Sequence, residues 1–269
     1  FAAAAHVSKA RLINNRVTTN SMEPRGMVGV YDAGSESYTL YHSGQAPHAL
    51  RQSLAQEIFH VPEINFRVVS PDVGGGFGMK GGVYPEDILV PWAAKKVGRP
   101  VKWIGDRVES MQSDSHGRDQ IVTVEMAFDK DARITALRAD SHFSVGAYLS
   151  QNACITPMFA VTLSSGVYAI PAIRAATHGV FTNTASTAPY RGAGRPEASY
   201  MLERLIDQAA RELKIDPVEL RRRNLIKAAQ MPFQTALMYA YDSGDFEAVM
   251  DHTLNLNDWA GFEKRRDES

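Results

Sequence analysis

The sequence is poor in the residues that build self-contained redox or metal centres. Its 269 residues include one cysteine, Cys154, so this chain alone supports neither a disulfide framework nor an iron–sulfur cluster with all its ligands. A lone cysteine of this kind is read as a small core residue. The eight histidines show no His-x-His or His-Glu-x-x-His spacing, and no metal ligand is assigned from them. A net charge of −1 gives no general attraction to nucleic acid or to an anionic membrane, so an anionic ligand must be met by local groups. The opening run Phe1 to Ala5 is too short to span a membrane and lacks the basic flank of a secretory signal, which makes a cytoplasmic location the expectation. A first residue other than Met points to a longer polypeptide.

What the sequence does have is glycine in one place. The run Gly74-Gly75-Gly76-Phe77-Gly78-Met79-Lys80-Gly81-Gly82 has little side-chain bulk, so its backbone N–H groups can approach a ligand or turn through positive φ. It reads either as a cradle for an anionic cofactor or as a plain turn between a strand and a helix. A P-loop is excluded, because Lys80 is followed by Gly81 and not by Ser or Thr. A dinucleotide-binding module using Gly76 to Gly81 and Asp106 stays open: the spacing Gly-x-Gly-x-x-Gly follows a strand, and Asp106 ends the next one. Against it, Phe77 is bulky for a phosphate turn, and the helix signal begins only at Pro85.

A second constellation, Tyr190-Arg191-Gly192-Ala193-Gly194-Arg195-Pro196, sets two arginines around two glycines just before a long helix, a favourable place for an anion. Arg221-Arg222-Arg223 lies inside another helix and reads as a surface face or a subunit contact. Glu86 and Asp87 could act as acid or base, but their place at a helix start is explained mainly by the helix dipole.

Periodicity and turn signals predict an α+β fold of mixed sheets with packed helices. Expected strands are a stretch within residues 11–24, then 28–32, 37–43, 64–69, 101–104, 120–128, 134–143 and 173–182. Expected helices cover 47–60, 85–97, 107–111, 196–213, 217–224 and a last one capped near Asp245, with a charged tail from Asp258. Residues 145–168 have no clean period and read as loop and short helix. Two lobes are expected, 1–118 with the glycine loop and 119–269 with the Arg-Gly loop.

Four motifs in order, Gly44-Gln45-Ala46-Pro47-His48, Gly74 to Lys80, Tyr190 to Arg195 and Tyr241-Asp242-Ser243-Gly244, resemble the molybdenum-binding large subunit of the xanthine dehydrogenase, aldehyde oxidase and carbon monoxide dehydrogenase family. The Tyr-Arg-Gly-Ala-Gly-Arg version is similar to the form II carbon monoxide dehydrogenase relatives. The resemblance implies the first part of a molybdopterin-binding region. It implies a molybdenum–molybdopterin cytosine dinucleotide, with [2Fe-2S] and FAD on partner subunits and the remaining part of the large subunit completing the site. The reaction implied is oxidation of a small-molecule substrate with water-derived oxygen, the substrate being an aldehyde, a small heterocycle or a carbon-monoxide-like molecule.

Carried over by position, Gln45 matches the glutamine that hydrogen-bonds an oxo ligand of the metal. Gly75, Gly76, Phe77 and Gly78 match the loop on metal and pterin, and Arg191 and Gly192 the loop beside the metal. Gln45 and Arg191 are thus the expected catalytic residues. Purine-oxidising members carry a glutamate where this chain has Gly81 and an arginine where it has Phe159, and copper-binding members a cysteine at the place of Gly192. No residue matches the family's catalytic glutamate, so a truncated, non-catalytic domain stands as a further alternative.

Overall fold

The computed structural model describes residues 1–268 and contains two mixed four-stranded sheets, each with its own helices, in agreement with the α+β expectation. Strand β1 (His6–Asn14) lies in the second of these sheets, and the first starts with β2 (Gly26–Asp32) and β3 (Ser37–His42). These two form a hairpin whose turn is held by the Asp32 carboxylate, which accepts from the Ser35 N–H at 2.8 Å and from its hydroxyl at 2.9 Å. Helix α1 (Pro47–Gln52) was expected to continue to about residue 60. Its continuation, Ser53–Phe59, is instead π-helical. The chain returns as β4 (Phe66–Val69), parallel to β3. This strand is shorter than expected, because Ile64 belongs to a single 3-10 turn and is 91% exposed.

The glycine loop leaves β4 directly, and α2 (Pro85–Val97) follows it, then β5 (Val101–Ile104) on the far edge of the sheet beside β2. Met27, Tyr38, Leu40, Leu54, Phe66 and Val90 form the core between this sheet and its helices. Helix α3 (Arg107–Ser113) is capped by Asp106, whose carboxylate accepts from Glu109 N–H at 2.7 Å.

The second sheet has the order β1, β6 (Gln120–Phe128), β7 (Ile134–Gly146), β8 (Ile173–Phe181). Asp129 closes the β6–β7 turn by accepting from the N–H groups of Asp131 and Arg133, both at 2.9 Å. The stretch without a clean period contains α4 (Ile155–Thr162). Because β1 pairs with β6 along its whole length, a division at Asp119 leaves the first strand of the second sheet with the other lobe.

Helix α5 (Arg195–Leu213) carries the apolar stripe read from the sequence. Met201, Leu202, Leu205 and Ile206 are buried against Val122, Val124 and Met126. Asp216 caps α6 (Pro217–Asn224) through Val218 and Glu219, both at 2.9 Å, and Asp245 caps α7 (Phe246–Leu256) through Ala248 at 3.0 Å. The expected charged tail forms α8 (Phe262–Glu268), and Ser269 lies outside the described residues.

The arginine run corrects the surface-face reading for Arg221 and Arg222, which bind other helices, whereas Arg223 is exposed as expected. Arg221 binds Glu203 and Asp207 of α5, Arg222 binds Glu247 and Asp251 of α7, and Arg223 binds Glu219 one turn back. Arg221 and Arg222 therefore fasten α6 to the helices on either side. Leu205 is fully buried at the centre of the second core. Leu205→Ala is expected to cost about 2–5 kcal/mol through lost transfer energy and a residual cavity, read as a lower urea midpoint with unchanged slope.

Candidate functional site

Gln45 occupies the turn between β3 and α1, where the expected strand 37–43 gives way to the expected helix from 47, and it reaches the glycine loop from there. Its side-chain oxygen Oε1 accepts the N–H of Gly78 at 2.8 Å, and its own N–H donates to the Lys80 carbonyl at 3.0 Å. A backbone N–H can only donate, so this bond fixes which way the amide faces and leaves Nε2 as a donor that meets no acceptor among the described residues. The glycines are required by this close approach. A Cβ on Gly76 would lie 2.5 Å from Gln45 Oε1. One on Gly78, whose φ is +100°, would lie 2.3 Å from the Pro189 carbonyl oxygen.

Beneath the loop a buried lysine pairs with a half-buried carboxylate. The Lys80 ammonium is 1% exposed by residue, donates to Glu23 Oε2 at 3.0 Å and to Ser43 Oγ at 2.8 Å, and Ser43 in turn donates to Glu23. The same Glu23 oxygen accepts the N–H of Gly74 at 2.7 Å. Partial burial pushes the Glu23 carboxyl up, but the bonds from Ser43, Gly74 and Lys80 outweigh it and hold the group below its ordinary range. Both ends of the loop are therefore tied to one carboxylate.

A second buried group supports the far end. Arg25, 2% exposed, donates to Asp114 at 2.6 Å and to Glu86 at 2.7 Å and lies 3.8 Å above the Tyr84 ring. Tyr84 donates its hydroxyl to the Met79 carbonyl at 2.9 Å. Burial pushes the Tyr84 phenol and the Asp114 carboxyl above their ordinary values. Asp87 is fully buried, lies 3.0 Å from His42 Nε2 and accepts the Tyr84 N–H at 2.9 Å. The dipole explanation of Glu86 and Asp87 is thus incomplete: they hold the floor of the loop.

The Arg-Gly loop comes from the second sheet's side of the molecule and meets the glycine loop through its backbone. The Arg191 N–H donates to the Phe77 carbonyl at 2.8 Å. Arg118, which no sequence signal singled out, holds this loop by donating to the Tyr190 and Arg191 carbonyls at 3.3 and 2.8 Å and to the buried Glu197 at 3.1 Å. Its only sequence clue is its place next to a strand, and its φ of +63° appears only in the folded chain. Arg191 itself is exposed, and among the described residues its guanidinium has no ion-pair partner.

Gln45, Gly75, Gly76, Phe77, Gly78, Arg191 and Gly192 are therefore brought together. The Tyr241 motif is not among them: its hydroxyl donates to the Gly166 carbonyl at 2.7 Å, and Asp245 beyond it caps α7. Cys154 is exposed, contrary to the core reading. The dinucleotide reading loses its frame. The loop runs into a 3-10 turn and not a helix, the β3–α1–β4 unit precedes the loop, and Asp106 is occupied as a helix cap.

Among the described residues the N–H groups of Gly75, Gly76, Phe77, Gly192 and Gly194 meet no protein acceptor. With Gln45 Nε2 and Arg191 they form a set of donors with one cation and no thiolate or imidazole. Such a set holds a group rich in acceptor oxygens that brings its own ligands to any metal it carries. Beside it, a cavity of about 320 Å³ is lined by Met79, Tyr84, Ile88, Tyr148 and Leu149 among others.

The model of the family described as molybdopterin cofactor-binding domain matches residues 1–225. The chain belongs to the molybdopterin cofactor-binding domain family. It is 34% identical, over 98% of its length, to the 6-hydroxypseudooxynicotine dehydrogenase complex subunit gamma of Paenarthrobacter nicotinovorans, covering 34% of that protein. To the carbon monoxide dehydrogenase large chain of Hydrogenophaga pseudoflava it is 36% identical over 91% of its length, covering 31% of that protein. The crystal structure of quinoline 2-oxidoreductase from Pseudomonas putida 86 superposes with a TM-score of 0.95 at 32% identity, covering 100% of this chain and 34% of that one. The chain spans about a third of the length of these relatives. The donor set fits a molybdopterin, whose dithiolene sulfurs carry the metal and whose pterin and phosphate oxygens and nitrogens need donors.

Lys80→Met is expected to loosen the molybdopterin-domain loop and to cost about 1–3 kcal/mol, because it removes a buried donor from a carboxylate. The Glu23 carboxyl is lowered from 4.5 in the folded chain, so its contribution is complete above that value and is lost as pH falls through the lowered one. The stability difference between wild type and Lys80→Met should therefore shrink on acidification below pH 4.5, measured by urea unfolding at stepped pH.

Proposed function

We propose that this chain holds the metal end of a molybdenum–molybdopterin cofactor in the large subunit of a molybdenum hydroxylase. The observation that carries the reading is the Gln45 amide. Its oxygen is locked by Gly78 N–H, which leaves Nε2 as the donor for a ligand beside the glycine loop, the loop that Arg191 meets through the Phe77 carbonyl. A cofactor there would be met by Gln45 Nε2 at its metal end, by the free N–H groups of Gly75, Gly76, Phe77 and Gly192, and by the charge of Arg191. When bound, the cofactor supplies two-electron oxidation of a carbon centre with oxygen from water. The chain's residues contribute fixed donors that need no reorganisation as negative charge builds up.

The finer reading follows the form II resemblance. The pterin is a cytosine dinucleotide, electrons leave through [2Fe-2S] and FAD on partner subunits, and the remaining part of the large subunit completes the pocket. The substrate is an aldehyde, a small heterocycle or a carbon-monoxide-like molecule. Gly81 supports a non-purine substrate, since a glycine supplies no carboxylate, and a Cβ there would meet nothing within 4 Å, so the position is left as open space. Phe159 points the same way, its ring being covered by the Arg195 guanidinium at 5.2 Å.

The test is metal and pterin analysis of the full large subunit purified with its partners. Stoichiometric molybdenum and a cytosine-dinucleotide pterin are expected. Gln45→Ala should keep the molybdenum and lower kcat about 10²-fold, the effect of losing one fixed donor. A folded, intact complex without molybdenum or pterin would end the proposal.

A further inference from the structure

The outer face of the second sheet carries a side-chain cluster that the cofactor site does not use. On β7, Asp140 and His142 are two residues apart and project from one face, and the parallel register sets His178 of β8 directly beside His142. One Asp140 carboxylate oxygen lies 3.5 Å from His142 Nδ1, and the other lies 3.5 Å from His178 Nε2. The two imidazoles stack with centroids 4.8 Å apart and 23° between their planes. One ligand atom from each residue lies within 4.8 Å of the other two.

These separations are long for hydrogen bonds, and among the described residues none of the three side chains makes one. They are close to the separation of two ligands on one ion. Tetrahedral bonds of about 2.0–2.1 Å to Zn²⁺ place neighbouring ligand atoms about 3.4 Å apart. All three side chains are about half exposed, so small side-chain rotations can close the remaining gap.

The surroundings leave the carboxylate available. Arg138, on the same face before Asp140, is held by Glu125, which also binds Lys9. Arg174 pairs in register with Arg138, four residues along the strands from the histidines, about 13 Å at the rise of a β-strand.

We propose that Asp140, His142 and His178 form a binding site for a transition-metal dication, Zn²⁺ first. Two imidazole nitrogens and one carboxylate suit zinc, while Mg²⁺ and Ca²⁺ require oxygen ligands throughout. Three protein ligands leave the fourth position to water. The ion would clip β8, the edge strand, to β7. The site escapes a sequence scan because His178 comes from another strand, 36 residues beyond His142.

The site is independent of the cofactor and is tested without activity. The full polypeptide, purified with its partners, is stripped with dipicolinate and titrated with Zn²⁺. Bound zinc is counted by inductively coupled plasma mass spectrometry after gel filtration. One zinc per chain is expected above the level of a His142→Gln/His178→Gln double variant, unaffected by millimolar Mg²⁺. Asp140→Asn should weaken binding at least about tenfold. Zinc should raise the Tm of the wild type more than that of the double variant. Equal zinc content in wild type and double variant, both folded by circular dichroism, overturns the proposal.

Discussion

The ammonium of Lys80 is the contact on which the geometry of the cofactor site rests. A buried cation must be met by a carboxylate or return to water, and here Glu23 and Ser43 meet it under the glycine loop. Because the same carboxylate oxygen also takes the Gly74 N–H, the ion pair sets where the loop begins, and the Lys80 carbonyl sets where Gln45 begins. A chain of polar contacts thus runs from Glu23 to the Gln45 amide. Any shift in the ion pair moves the loop and the amide together.

The fold was legible wherever local chemistry decides the outcome. The 3.6-residue stripe of α5, the Asp-Pro start of α6 and the Asp129 turn each follow from groups close in sequence, and the helices and hairpin stand where those groups put them. What sequence could not give was long-range pairing. The partnership of β1 with β6 joins residues more than a hundred positions apart, and nothing in His6–Asn14 announces it. The π-helical stretch after α1 shows likewise that apolar spacing alone does not fix which hydrogen-bond ladder forms.

The candidate site's residues could be named from the sequence, but not the groups that hold them. Gln45, Phe77 and Arg191 were named by motif, and the structure brings them together. Arg118, Glu23 and Arg25 went unseen because each acts at a distance in sequence, through burial that a lone charged residue does not reveal. The arginine run misled for the same reason: Arg221 and Arg222 look like part of a solvated face until the carboxylates of α5 and α7 are folded against them.

One consequence follows from the bond between the Phe77 carbonyl and the Arg191 N–H. It joins the two loops peptide to peptide, so no side chain takes part in it. Every residue except proline at position 191 can supply the donor, and at 77 every residue that tolerates a φ of +50° can supply the acceptor. The side chains at these two positions can therefore vary while the two loops keep their distance. The scaffold separates what is inherited as geometry from what is free to vary as chemistry.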